Sequence, residues 1–428
     1  MTCLHVESSK GGKLASLGLS ALAALLVAAS AGSLVACGSA ADESAPGGNA
    51  ASGGDPGGGA SGEGGASGEG GADTALPEIP PAAPEIVAQR LTRFLWNDGA
   101  LAGEISARLA APVEAQAVQD LAREMLEDPR ARDGVGRFFH WWLRSKLLRA
   151  FTPEGEPVDD PLLASMRKEV AAYGSAVVLD EDGTLDTLMF APYTFVDARL
   201  AEHYGMSGVE GEEPTRAPYG SPNRMGLFTS ASIMTTFRSA YPVTWPVKRG
   251  WLVRSALLCT ELPDGSPPEE LVIGRSMRKQ MIEATAPATC DICHGQLNPP
   301  GFAFLRFDSM GRELADDGGE PFDTSGWVTG VPGEPRYGDV RELLEILNEL
   351  PEVHACIAQM ALHYATDPLS SAKDRAPVGL GPRIEALAAA FARSGRNLRE
   401  LLVEVVATPE FLGEPELTWG FPDPDRLP

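Results

Sequence analysis

A single five-residue motif places the strongest constraint on how this chain folds. Cys290, Cys293 and His294 have the Cys-x-x-Cys-His spacing of c-type haem attachment. Two thiols at i and i+3 lie on one face of a helical turn, where they can form thioethers with two vinyl groups. The adjacent imidazole can then bind iron through a neutral nitrogen. The motif therefore predicts a helical turn that binds one haem c.

Other interpretations of the same motif remain open. Structural zinc usually needs a second, similarly tight Cys or His pair, and the sequence has none, since His354 and His363 are nine residues apart. A thioredoxin-like dithiol would require a βαβ setting, which the surrounding sequence lacks. A disulfide between Cys290 and Cys293, or two inert thiols, would also be consistent with the spacing.

The first 36 residues have the pattern of a processed signal peptide. Lys10 and Lys13 precede an apolar run at 14–31, and Leu-Val-Ala-Cys at 34–37 resembles a bacterial lipobox. That resemblance implies cleavage before Cys37 and lipidation of this cysteine, which would anchor the protein to a membrane. We therefore expect a lipoprotein of the bacterial cell envelope, and Gly38 is compatible with the outer membrane. A plain signal peptide or an N-terminal anchor helix is the alternative.

Residues 37–84 are predicted to be a disordered linker. Gly, Ala, Ser and Pro dominate this segment, and all of its charges are acidic. Because it has almost no large apolar side chains, it cannot offset the entropy of ordering and should act as a flexible tether. The whole chain of 428 residues has a net charge of -24, and this acidity argues against nucleic acid as a partner.

The cysteine count suggests a disulfide. Four cysteines remain once Cys3 leaves with the signal peptide and Cys37 is acylated. If two of them hold haem, Cys259 and Cys356 form an even pair in an oxidising compartment. We hypothesise that these two are bonded to each other. The bond would close a loop of about a hundred residues, which on the chain-entropy model adds on the order of 4–5 kcal/mol of stability.

Hydrophobic periodicity predicts a mostly α fold from residue 85 onward. An irregular region rich in Gly, Asp and Pro is expected around 295–338, with at most a short hairpin, and 206–223 reads as a loop. An aromatic cluster at 135–143 should pack in the core. Predicted helices cover residues 86–96, 100–110, 114–127, 161–178, 194–204, 246–258, 269–285, 341–350, 353–366, 382–394 and 397–407.

Three successive parts of the chain resemble domains that occur in large secreted proteins of planctomycetes and myxobacteria. Residues 89–96, 125–131, 139–143 and 192–205 resemble domain of unknown function 1592. Residues 224–229, 246–250, 257–263, 290–294, 308–312 and 322–326 resemble domain of unknown function 1588. Residues 355–358, 398–403 and 408–412 resemble domain of unknown function 1585.

The resemblance implies a mostly helical, exported, cytochrome-c-like protein and supplies no established reaction. It divides the body into residues 85–215, residues 216–335 with the motif, and residues 336–415, followed by a tail at 416–428. Relatives often carry a histidine six residues before the first motif cysteine. Ala284 occupies that position here, so a catalytic role of that histidine does not carry over.

The second iron ligand has several candidates. Met310 is the first, and Met277, Met281, His354, Met360 and His363 are the others. A carbonyl of Pro299 or Pro300 could accept a hydrogen bond from His294 and raise its basicity. His140 and His203 lie in apolar segments and are interpreted as core residues. Four loop carboxylates lack the dense spacing of an EF-hand and are interpreted as solvated charges rather than a Ca²⁺ site: Asp308, Asp316, Asp317 and Asp323.

These observations predict an envelope lipoprotein that passes electrons through one haem c to a redox protein partner. A non-redox binding or scaffold lipoprotein, in which Cys290 and Cys293 are structural, is the alternative. A haem-dependent oxidoreductase would need an open iron position. The sequence contains no nucleophile elbow, zinc-protease motif or P-loop, so no catalytic residue is assigned.

Overall fold

The computed structural model of the chain describes residues 79–145, 160–236, 246–260, 274–366 and 381–413, with 148, 150–151, 157–158 and 272. The predicted signal peptide, Cys37, most of the predicted linker and the tail lie outside these ranges. Within them the chain forms sixteen α-helices, a 3₁₀ turn, a π-helical turn and six short strands. The predicted mostly α fold is therefore confirmed.

The first five helices pack around buried aromatic side chains. They are α1 (Pro84–Trp96), α2 (Ala102–Ser106), α3 (Ala115–Glu127), α4 (Ala131–Trp142) and α5 (Pro161–Leu179). Asp160 accepts hydrogen bonds from the backbone of Leu162 at 2.9 Å and Leu163 at 3.2 Å, so α5 begins at the following proline. A Cβ at Gly174 of α5 would collide with the Phe139 ring of α4, which shows how closely these helices approach. Phe139 and Trp142 are fully buried, as expected for the aromatic cluster.

The next part of the chain differs from the sequence prediction in two places. Strand β3 (Tyr193–Val196) and helix α7 (Ala198–Tyr204) replace the single predicted helix at 194–204. Asp197 accepts the Leu200 backbone N–H at 2.9 Å and so caps a helix that can only start after it. Strand β3 pairs antiparallel with β4 (Thr215–Pro218), which lies in the predicted loop at 206–223. The remaining elements here are β1 (Ala150–Phe151), β2 (Pro157–Val158), α6 (Leu185–Phe190) and α8 (Ala231–Thr236).

The segment around the motif is more helical than predicted. Helix α9 (Pro246–Leu252) continues into a π-helical turn (Val253–Leu257), and α10 (Met277–Thr285) precedes α11 (Ala288–Phe302). Of the predicted helix at 269–285, residues 269–271 and 273 lie outside the described residues. The described part of this helix starts at Met277, because Ser276 caps α10 by accepting the Lys279 N–H. Residues 295–302, predicted to be irregular, continue α11. The predicted short hairpin exists as β5 (Gly326–Trp327) paired with β6 (Arg336–Tyr337).

The C-terminal helices complete the same hydrophobic core. They are α12 (Val340–Glu349), α13 (Pro351–Thr366), α14 (Gly381–Arg393), α15 (Leu398–Val405) and α16 (Pro409–Leu412). The main core cluster runs from α1 to α16, and the buried Arg90 of α1 donates hydrogen bonds to the carbonyls of Phe411 and Gly413. The described parts of the three predicted domains thus share buried side chains, and the boundaries drawn between them stay a prediction.

The two cysteines outside the motif lie together. Cys259 follows the π-helical turn, Cys356 lies in α13, and the two form a disulfide with Cα atoms 5.2 Å apart. The bond spans 97 residues of sequence and joins two elements on either side of the motif-bearing segment. None of the described helices is long and apolar enough to cross a membrane.

Candidate functional site

The first two turns of α11 carry the motif. The Pro287 carbonyl accepts the Cys290 N–H at 2.8 Å and the Asp291 N–H at 3.0 Å, which starts the helix immediately before the first cysteine. Cys290 and Cys293 are not part of a disulfide and are half-buried, and His294 is half-buried beside them. In a regular helix these three side chains fall within an arc of roughly 100°. The motif residues therefore share one face of one helix.

Close backbone packing holds α11 in place. A Cβ at Gly250 of α9 would collide with the Leu297 carbonyl, and a Cβ at Gly301 would collide with the Pro246 carbonyl. Glycine at both positions lets the backbones of α9 and α11 touch. The second half of α11 is thus fixed against α9, while its first half, with the motif, is more exposed.

Two prolines lie inside α11 without ending it. A proline removes the hydrogen bond to the carbonyl four residues earlier, so Pro300 frees the Gln296 carbonyl. Thr329 compensates by donating its hydroxyl to this carbonyl at 3.0 Å. Arg254 of the π-helical turn adds a bond to Gln296 Oε1 at 3.2 Å. A neighbouring element therefore satisfies the carbonyl that Pro300 frees in α11.

The expected hydrogen bond from His294 to a proline carbonyl is not present. The Pro299 carbonyl accepts the hydroxyl of the buried Tyr337 in β6. His294 Nδ1 is buried and has no hydrogen-bond partner among the described residues. The reason is that α11 continues past residue 294, so the proline carbonyls point along the helix, and the Pro299 carbonyl is used by Tyr337.

Burial keeps the His294 imidazole neutral. Loss of water contact lowers its pKa below the usual 6.5. The nearby Asn298 side chain and the negative charge of Asp291 raise the pKa, but by less than burial lowers it. A neutral imidazole has a lone pair on one ring nitrogen, which is the form that binds a metal. At neutral pH His294 is therefore in the protonation state that iron coordination requires.

An apolar cluster surrounds the buried part of α11. Leu297 and Phe302 of α11 pack in this cluster with Met277 and Met281 of α10, and both methionines are buried. Val247 and Leu305 complete it, and Trp251 and Phe322 lie against its edge. Of the candidate second iron ligands, these two methionines are the ones that share a cluster with the motif helix.

The first candidate for the second iron ligand, Met310, packs elsewhere. Its side chain lies against a separate cluster that contains Val196 and Leu200, and its carbonyl accepts a hydrogen bond from His203 Nε2 at 2.8 Å. The structure therefore does not bring Met310 into the cluster that contains the motif helix.

The other candidates are also occupied away from α11. His354 Nε2 donates to the Asn348 carbonyl at 2.8 Å. His363 packs edge-to-face on Trp141 with ring centroids 5.3 Å apart, and Met360 lies in the main core. None of these three side chains is part of the cluster around Leu297.

The two histidines interpreted as core residues have structural partners. His140 Nδ1 is hydrogen-bonded to the Ser145 hydroxyl at 2.5 Å, and burial lowers its pKa to about 4. His203 Nε2 carries the hydrogen that it donates to Met310, and burial lowers its pKa as well. Both imidazoles are neutral at pH 7.

The loop carboxylates serve local backbone structure. Asp317 accepts the Met277 N–H and the Ser276 hydroxyl, each at 2.6 Å, at the start of α10. Asp308 accepts the backbone N–H groups of Met310 and Arg312, each at 2.8 Å. Asp316 accepts the Gly319 N–H at 2.7 Å, and Asp323 pairs with Arg278 at 3.1 Å. In the part of the chain that the structure describes, no three His, Cys, Asp or Glu side chains are grouped to hold a metal.

Sequence reasoning missed a buried polar network beside a cavity of about 690 Å³. Glu169 is fully buried in α5 and accepts hydroxyl hydrogen bonds from Thr194 at 2.5 Å, Tyr204 at 2.8 Å and Ser232. The Tyr204 side chain also lines the cavity, whose wall includes Arg224 paired with Glu313 at 3.2 Å. A lone glutamate among the apolar residues of α5 was the available signal.

Two family models match the chain. Residues 84–206 match PSD4, described as a protein of unknown function (DUF1592), and residues 224–317 match PSCyt3, described as a protein of unknown function (DUF1588). Two of the three recognised domains are therefore confirmed, and the 1585-like part stays a prediction. The comparisons with curated proteins and with solved structures gave no match.

Proposed function

We propose that this protein is an envelope-anchored lipoprotein that carries one haem c and transfers single electrons. Cys290 and Cys293 would form the thioethers, and His294 would bind the iron. The proposal rests on how the four cysteines in the described part of the chain are used: one pair forms a disulfide, and the other pair belongs to the motif. Cys259 and Cys356 are bonded to each other, so the motif thiols are left together on one helical face beside a neutral histidine.

The residues present fit a covalent haem. The two thiols are half-buried at the start of α11, so they border solvent on one side and protein on the other. The Nδ1 of His294 is buried and has no hydrogen-bond partner in the part of the chain that the structure describes, and burial lowers the pKa of the imidazole. A half-enclosed site with two thiols and a neutral imidazole has the donor set of c-type attachment.

The protein contributes attachment, ligand orientation and surroundings. When bound, haem supplies a reversible one-electron change of its iron. The two cysteines would hold the haem in the chain and His294 would bind its iron, while Met277 and Met281 of the Leu297 cluster offer apolar surface near the motif helix. A redox protein partner gives or takes the electron.

A lipid anchor on Cys37 is the part of the proposal that concerns where the protein is located. Lipid on Cys37 would hold the protein at the membrane, and the acidic segment at 37–84 would set the reach of the haem domain. Cleavage at the lipobox and sorting by Gly38 lead to the outer membrane. Radiolabelled palmitate should enter the wild-type protein and be absent from Cys37→Ala.

A haem stain on a denaturing gel tests the attachment. The protein is expressed with a c-type maturation system, and we expect the wild-type band to stain for haem peroxidase activity. The double variant Cys290→Ala and Cys293→Ala should not stain. Ile292→Ser is the matched control, because Ile292 is 70% exposed and lies roughly 160° around the helix from His294; it should stain like wild type.

Absence of stain from the wild-type band would contradict the proposal. In that case a scaffold or binding lipoprotein with unmodified motif cysteines would replace it. Staining of the double variant would show that the band reports haem held elsewhere. Circular dichroism of each variant verifies that the helical fold is retained.

A further inference from the structure

A short chain of buried hydrogen bonds runs from α10 to the motif helix. The Thr285 hydroxyl donates to the Met281 carbonyl at 2.6 Å. Since its hydrogen is used there, its oxygen can only accept from the Asn298 amide, and Asn298 Nδ2 donates to it at 2.9 Å. Thr285 and Asn298 are both buried. The direction of every bond in this chain is therefore fixed by the Met281 carbonyl, which can only accept.

The fixed orientation of the Asn298 amide leaves its oxygen without a hydrogen-bond donor among the described residues. With Nδ2 directed to Thr285, the Oδ1 of Asn298 is the remaining polar atom, and it is buried without a hydrogen-bond partner among the described residues. His294 Nδ1 is also buried, and no described residue is its hydrogen-bond partner. Buried polar atoms are rarely left unpaired in proteins. We therefore ask whether the two unpaired atoms of α11, one of them a possible donor and the other an acceptor, bond to each other.

His294 and Asn298 are neighbours on the surface of α11. They are four residues apart, which places their side chains one turn apart on the same face. The amide oxygen is thus within reach of the imidazole, and a ring N–H is the donor that it lacks.

We propose that Asn298 is the positioning residue for His294. Its Oδ1 accepts the hydrogen of His294 Nδ1, which fixes the Nδ1–H tautomer and leaves the lone pair on Nε2. Nε2 is then the nitrogen presented to iron. Asn298 takes the role that sequence reasoning assigned to Pro299 or Pro300, and Thr285 holds the amide in the required orientation. The iron part rests on the proposed function, whereas the tautomer also applies to the haem-free protein.

Asp291 is the other acceptor close to His294. Its carboxylate is exposed to solvent and lies over Gly295, where a Cβ would approach Asp291 Oδ1 to 3.0 Å. A hydrogen bond to an exposed carboxylate competes with water, whereas the Asn298 oxygen is shielded from it. The buried amide is therefore the acceptor that sets the tautomer.

The haem-free protein provides the first test. Long-range ¹⁵N–¹H NMR spectra of labelled protein distinguish Nδ1–H from Nε2–H in a neutral imidazole, and we expect wild-type His294 to be in the Nδ1–H form. Asn298→Leu should shift it toward Nε2–H, since no buried acceptor remains. Asn298→Asp restores an acceptor and should keep Nδ1–H. Thr285→Val leaves Asn298 in place but frees its amide, and should give a mixture.

The haem-loaded protein provides the second test. A hydrogen bond from the imidazole raises its basicity and stabilises oxidised iron. Asn298→Leu should therefore shift the reduction potential in the positive direction, Thr285→Val should shift it by less in the same direction, and Asn298→Asp should shift it in the negative direction. A purely structural role of Asn298 would not reverse the sign between its two variants.

The outcomes separate the two claims. An Nε2–H tautomer in wild type, or an Nδ1–H tautomer retained in Asn298→Leu, would overturn the positioning role even if haem is attached. A wild-type band that does not stain for haem would contradict the proposed function. The NMR spectra of the haem-free protein would still show whether Asn298 sets the His294 tautomer. Ile292→Ser serves as the control in both tests and should leave tautomer and potential unchanged.

Discussion

Tyr337 donates its hydroxyl hydrogen to the Pro299 carbonyl and so joins the hairpin of β5 and β6 to the motif helix. Both residues are buried, and a Cβ at Gly326 would collide with the same hydroxyl and carbonyl. The C-terminal half of α11 is thus enclosed by α9 on one side and this hairpin on another. This arrangement leaves the first half of α11, with the motif, as its exposed part.

Removing this hydroxyl should destabilise the fold. Tyr337→Phe leaves the buried Pro299 carbonyl without its donor, which costs about 1–3 kcal/mol. Urea unfolding followed by circular dichroism measures the loss. Tyr364→Phe is the matched control, because the Tyr364 ring packs against Phe94 and Trp141 and its hydroxyl makes no hydrogen bond with a described residue. Equal stability of wild type and Tyr337→Phe would contradict the assigned bond.

Several features of this region could be predicted from local sequence. Hydrophobic periodicity located most helices, because the apolar face of an amphipathic helix can be recognised from the spacing of residues within one segment. Counting cysteines singled out Cys259 and Cys356, because the predicted signal peptide, the predicted lipidation site and the motif would account for the other four. The loop prediction for 206–223 missed β4, since its partner strand is β3, and sequence pattern alone does not pair distant strands.

The geometry of the candidate site could not be predicted, because it depends on contacts between residues that are far apart in the sequence. The region from residue 295 onward was predicted to be irregular, yet α11 continues through Pro299 and Pro300. Thr329 and Tyr337 bond carbonyls of this part of α11 from more than thirty residues away. Asn298 could be placed one turn after His294 from sequence alone. Its orientation could not, because it depends on Thr285 in another helix.

The disulfide should contribute strongly to stability. Replacing Cys259 and Cys356 with serine opens a loop of 97 residues, and the chain-entropy model predicts a loss on the order of 4–5 kcal/mol. Denaturant unfolding of wild type and double variant checks the value. Alkylation without reductant should leave both cysteines unmodified in wild type, and labelling of both would refute the bond.

Met310 should be dispensable for the haem spectrum. Its side chain packs with Val196 and Leu200 rather than with the Leu297 cluster, so Met310→Leu should leave the visible spectrum of oxidised and reduced protein unchanged. The swap conserves volume and should cost less than about 1.5 kcal/mol of stability. A change from low-spin to high-spin iron in this variant would instead make Met310 the second ligand.

Glu169 should make stability depend on pH. Burial raises its pKa above the ordinary 4.5, although three hydroxyl groups donate to it. Above pH 4.5 the unfolded chain loses this proton while the folded protein keeps it, so the free energy of unfolding should fall as the pH rises toward the folded-state pKa. Glu169→Gln removes this titration. Unfolding free energies at a series of pH values should fall less steeply in the variant than in wild type, and parallel curves would contradict the raised pKa.

Covalent haem on Cys290 and Cys293 is the central claim, and peptide mass spectrometry tests it most directly. Protein matured in an oxidising compartment is digested, and the peptide that spans residues 290–294 is weighed. The proposal predicts a mass increased by one haem, with fragmentation that places both thioethers on the two motif cysteines. A peptide that carries two unmodified cysteines, or a disulfide between them, would contradict it.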